Sequence, residues 1–70
     1  MNRARATKLA TVALEVTEVG NPTPVTGTTV LFKNEDGTWA VCDNGEEVVC
    51  HDDAEAIRII VENLVEDPTI

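Results

Sequence analysis

TTVLFKNEDGTWAVCDNGEEVVCH, residues 28–51, is the stretch that decides the fold. It holds three short runs rich in β-branched and apolar residues, separated by Asp36-Gly37 and Asn44-Gly45. Both dipeptides are strong hairpin signals, because a two-residue type I′ loop needs positive φ at both central positions. Strands over Thr28–Lys33, Thr38–Asp43 and Glu46–His51 are therefore expected to form a three-stranded antiparallel meander. A two-residue loop at Asp36-Gly37 sets Phe32 opposite Val41 and Asn34 opposite Trp39. The same loop at Asn44-Gly45 sets Val41 opposite Val48 and Trp39 opposite Cys50. Opposite residues share a face, so the two turns together select Val30, Phe32, Trp39, Val41, Val48 and Cys50 as one apolar side.

Beyond the meander, Asp52 and Glu55 form an Asp version of the capping box, with carboxylates at the positive end of a helix dipole. Ile57, Ile60, Val61 and Leu64 then recur at helical spacing, which predicts a helix to about Glu66, with Pro68 just past its end. Its apolar stripe is expected on the Trp39/Phe32 side of the sheet, burying Trp39, Phe32, Val41, Val48, Ile57, Ile60, Val61 and Leu64 together. Upstream, Gly20-Asn21-Pro22-Thr23-Pro24 is a breaker. Before it, Val12, Leu14 and Val16 alternate with smaller or polar residues, which suggests an N-terminal strand over 9–19; a short helix over 3–14 is the alternative. Residues 1–8 read as a flexible start. The expected fold is α+β: a small antiparallel sheet with one C-terminal helix on one face, forming a single acidic domain over 9–70.

Charge is the second informative feature. Eleven of the thirteen carboxylates follow Lys33, where Arg58 is the only base, so residues 34–70 carry a net −10 while residues 1–33 carry +2. Such a field attracts basic surfaces and repels phosphate. Direct nucleic-acid binding would set that charge against a polyanion, and with Trp39 and Phe32 as the only aromatics there is little to stack bases on. No apolar run approaches the roughly 20 residues of a membrane span, and no signal-peptide pattern opens the chain. With two cysteines and no disulfide framework, the expected location is the cytoplasm, as a monomer or weak dimer.

Reactive chemistry finds little support. Cys42, Cys50 and His51 follow a C-x7-C-H spacing rather than the close pairs of a zinc site, and the register puts Cys50 on the face opposite Cys42 and His51. Asp36 and Asp43 beside the turn glycines lack the D-x-D-x-D-G pattern of a calcium loop. No catalytic residue, metal or cofactor is expected. The candidate functional residues are those of an acidic binding face: Glu35, Asp36, Asp43, Glu46, Glu47, Asp52, Asp53, Glu55, Glu62 and Glu66, with Ile59 among them. Ile59 is either an exposed anchor rimmed by acids or a residue covered by the N-terminal segment.

The order strand, Asp-Gly, Trp-containing strand, Asn-Gly-Glu, strand, then Asp-x-Ala-Glu-Ala-Ile helix over residues 28–66 resembles the sheet-plus-helix half of HicB-type antitoxins. The Pro-Gly-Cys segment typical of that family is missing, so the resemblance assigns no functional residue. The function expected is a non-enzymatic acidic protein-binding module. In its sharpest form it is a phage or mobile-element inhibitor that mimics nucleic acid and blocks a basic nucleic-acid-binding surface, as some anti-CRISPR proteins do. The alternative is a HicB-like antitoxin or assembly module acting through sheet-edge or hydrophobic contacts.

Overall fold

Residues 2–65 are described by a computed structural model. In chain order they form α1 (Arg3–Val16), β1 (Thr23–Pro24), β2 (Thr29–Lys33), β3 (Trp39–Asp43), β4 (Glu46–Cys50) and α2 (Asp53–Val65). The strands make one antiparallel sheet in the order β1-β2-β3-β4, so the fold is α+β with two helices rather than one. Both helices contribute to a single buried cluster with Leu31, Trp39, Val41 and Cys50, which leaves the other face of the sheet open.

Residues 9–16 of the N-terminal strand expected over 9–19 lie instead in α1, as in the alternative of a short helix over 3–14, and residues 3–8, read as a flexible start, belong to the same helix. Asn2 caps it, its side chain accepting the Arg5 N–H at 2.8 Å. The buried positions are Ala6, Ala10 and Ala13, a helical spacing hidden by its small residues, while the bulkier Val12 and Val16 that suggested alternation face solvent. Alanines on this face let α1 lie close along α2, where Ala56 is fully buried. The strand that joins the meander is the two-residue β1, with Thr23 opposite Leu31 and Pro24 opposite Val30.

The two hairpins differ. Asn44 and Gly45 both have positive φ, at 49° and 85°, and β3 pairs β4 in the expected register, with Trp39 opposite Cys50 and Val41 opposite Val48. At the first hairpin only Gly37 has positive φ, at 89°. Gly37 N–H donates to the Asn34 carbonyl at 3.1 Å and Asn34 N–H to the Thr38 carbonyl at 2.9 Å, closing a three-residue loop over Glu35–Gly37. Asp36 stabilises this loop by accepting the Thr38 N–H at 3.0 Å and its hydroxyl at 2.6 Å.

That one extra loop residue slips β2 by one position, so Leu31 lies opposite Val41, Phe32 opposite Ala40 and Lys33 opposite Trp39. A slip of one flips every side chain of a strand. Leu31 becomes the core residue, at 0% exposure, whereas Val30 and Phe32, expected inside, lie half-buried on the open face. Trp39, Val41, Ile60, Val61 and Leu64 are buried as expected, and Ile57 is half-buried against them. Val48 does share the Trp39 face, but at the sheet edge it stays 43% exposed.

Helix α2 begins as its sequence dictates. Asp52 accepts the Glu55 N–H at 2.8 Å, and Glu55 reaches back one residue further than a capping box requires, taking the His51 N–H at 3.2 Å. The indole Nε1 of Trp39 donates to Asp53 at 2.9 Å, which ties the sheet to the start of the helix.

Candidate protein-binding surface

The antiparallel strands and α2 sort the acids by position. Glu35 and Asp36 sit at the β2–β3 turn, and Asp52, Asp53 and Glu55 follow β4 at that same end of the sheet, where His51 contributes to the field on Asp36. Asp43, Glu46 and Glu47 flank the β3–β4 turn at the opposite end. Glu62 lies on the outer side of α2, paired with Arg58 at 3.5 Å. The single acidic face expected from the sequence is thus split between the two ends of the sheet and the outer side of α2, and Glu66 lies outside the described residues.

Several of these carboxylates are engaged by the fold itself. Asp52 and Glu55 hold the start of α2, Asp53 takes the indole proton of Trp39, and Asp43 accepts the Thr29 hydroxyl at 3.3 Å. The hydroxyl and the backbone N–H of Thr38 hold the Asp36 carboxyl below its ordinary value, as bonds to the charged form do. Lys33 stands over the Trp39 ring at 5.0 Å from its centre, in a shallow cleft that Asp53, Glu15 and Ile57 also line. Glu35, Glu46 and Glu47 make no comparable bond among the described residues; the nearest is a weak contact of 3.9 Å between the Cys42 thiol and Glu47. These three are exposed.

Ile59 is half-buried and packs against the core cluster, which corrects its reading as an exposed anchor. What the sequence concealed instead is an apolar open face. The flipped register lines up Phe32, Ala40 and Val49 in one row, and Val30, Cys42 and Glu47 in the next. The solvated face of an antiparallel sheet ordinarily carries polar residues, and this one carries chiefly apolar side chains. The Asp36-x-Thr38 pattern was the available signal, since an aspartate accepting two residues onward favours the longer loop.

The cysteines are free and lie on opposite faces, Cys42 half-buried on the open side and Cys50 buried under the helices. Burial, and secondarily Glu55, push the Cys50 thiol up, so it is held protonated and is a poor nucleophile. Among the described residues no three His, Cys, Asp or Glu side chains are grouped to hold a metal ion. Among them, too, no helix is long and apolar enough to cross a membrane. No family model matches the chain, and neither a curated protein nor a solved structure matches it.

Proposed function

We propose that the chain is a non-enzymatic acidic module that binds a basic surface of a partner protein in the cytoplasm. In the sharpest form of this reading it is a phage or mobile-element inhibitor that presents carboxylates where the partner would otherwise engage nucleic-acid phosphates, in the manner of anti-CRISPR nucleic-acid mimics. The observation that carries it is the exposure of Glu35, Glu46 and Glu47, engaged among the described residues by nothing stronger than the 3.9 Å contact of the Cys42 thiol with Glu47, in a chain of net charge −8. Exposed, uncompensated acids raise the rate of encounter with a cationic surface and deter polyanions. A second reading, an antitoxin-like or assembly module joined through sheet-edge or hydrophobic contacts, is favoured by the half-buried Phe32 and the exposed Val49 on either side of the buried Ala40.

The test is capture of host proteins on the immobilised chain, followed by elution with rising salt and, separately, with duplex DNA. A charge-driven complex weakens steeply with ionic strength, and duplex DNA displaces the chain from the partner. Retention of the captured protein through both treatments would contradict the nucleic-acid-mimic reading and leave the hydrophobic one.

A further inference from the structure

We propose that β4 is a docking strand. An extended segment of a basic partner pairs with it antiparallel, and that segment runs apolar, apolar, basic, basic along its own chain. The inference rests on the acidic-module reading above and assigns it a place and a partner sequence pattern.

The geometry of β4 leads to it. In a two-residue hairpin the residues flanking the loop exchange both backbone bonds, here Asp43 and Glu46, and hydrogen-bonded pairs then alternate along the ladder. Glu46, Val48 and Cys50 therefore bond to β3, and Glu47 and Val49 turn their N–H and C=O groups outward from the sheet. The outward run closes at His51, whose N–H is held by Glu55. At its other end it stops at the Asn44-Gly45 turn. That leaves an open window from Glu46 to Val49, all four of them exposed.

Natural edges are blunted with proline, charged side chains, bulges or covering elements. Among the described residues β4 has no proline or bulge, and its only such device is the negative charge of Glu46 and Glu47, which bars acidic strands and not basic ones. Its side chains instead specify a complement. On the open face Val49 ends the row that begins with Phe32 and Ala40, and on the helix face Val48 ends the row of Leu31 and Val41. Partner residues opposite these two extend apolar rows. Those opposite Glu47 and Glu46 meet an uncompensated acid, and opposite charges across a strand pair are favourable.

A second copy of the chain is the rival occupant. Self-pairing centred on Val48 sets each Glu47 against a Val49, and pairing centred on Glu47 sets like charges opposite each other; both leave four glutamates uncompensated between two chains of −8. Charge selects the cationic segment.

The full chain is titrated with three synthetic peptides of equal charge: one centred on Ile-Val-Lys-Arg, one on the alternating Lys-Val-Arg-Ile, and the first peptide N-methylated at its Ile and Lys, which face Val49 and Glu47. The first is expected to bind, the alternating peptide more weakly, and N-methylation to cost about tenfold or more, the loss of two backbone hydrogen bonds. Equal affinity of the N-methylated and unmodified peptides would mean Coulombic capture without strand pairing, overturning the docking strand while leaving an acidic module. Failure of all three to bind would overturn both. Dimerisation of the free chain through β4 would assign the edge to a second copy instead.

Discussion

On one side the sheet ends in β1, two residues long, with Pro24 as one of them and Pro22 just before it. On the other it ends in β4, five residues long, with Glu46, Glu47, Val48 and Val49 all exposed. Past β1, the outer side of β2 is taken up at Lys33, whose carbonyl accepts the Gly20 N–H at 3.0 Å and which bridges to Val19. Proline and shortness are ways of closing an edge against further pairing. The difference is that one edge of this small sheet is short and carries a proline, while the other is longer, exposed and acidic, which is the basis of the docking proposal.

The largest expected effect tests the register on which that comparison stands. If β2 turns Leu31 to the helices, Leu31→Ala should cost about 2–5 kcal/mol by denaturant unfolding, and Phe32→Ala on the open face clearly less. The reverse order would restore the two-residue loop at Asp36-Gly37 and place Phe32, not Leu31, under the helices. Next comes a charge swap at the open edge. Glu46→Lys with Glu47→Lys should weaken the Ile-Val-Lys-Arg peptide by about tenfold or more, roughly 1.4 kcal/mol, and transfer preference to an Ile-Val-Glu-Glu peptide. Stability should hold within about 0.5 kcal/mol, since both side chains are exposed and the weak contact of the Cys42 thiol with Glu47 is the only bond either makes among the described residues.

Smaller still is the cap that ends the edge. Asp52→Ala removes the bond to the Glu55 N–H and should cost about 1 kcal/mol of stability without changing the charge preference of β4. The smallest effect belongs to the closed edge. Pro24→Val should leave peptide affinity unchanged; a gain in affinity would mean that β1, once given back its N–H, competes with β4 as a docking strand, and the contrast between the edges would fail.

Much of this was legible in the sequence, and the failures have physical causes. The Asn44-Gly45 hairpin, the Asp52 cap and the Ile60/Val61/Leu64 stripe follow from turn chemistry and periodicity, and all three stand. The Asp36-Gly37 hairpin misled because Asp36 uses its carboxylate to hold Thr38 rather than entering the left-handed region itself. Val30, Leu31 and Phe32 are all apolar, so the pattern of β2 could not correct the register. Helix α1 was hidden by its own construction, with alanines inward and valines outward. The acids were easy to count and hard to assign, because a sequence does not show that Asp53 serves Trp39 or that Glu55 serves His51. Charge reversal at Glu55 would therefore disturb the fold as well as any binding, and Glu46 and Glu47 are the cleaner probes.

The most direct test of the open edge is amide hydrogen exchange at Glu47 and Val49, followed with and without the Ile-Val-Lys-Arg peptide. Strand pairing predicts that both amides, exchanging freely in the chain alone, become protected in the complex. Exchange at Glu47 and Val49 as fast in the complex as in the free chain would contradict it.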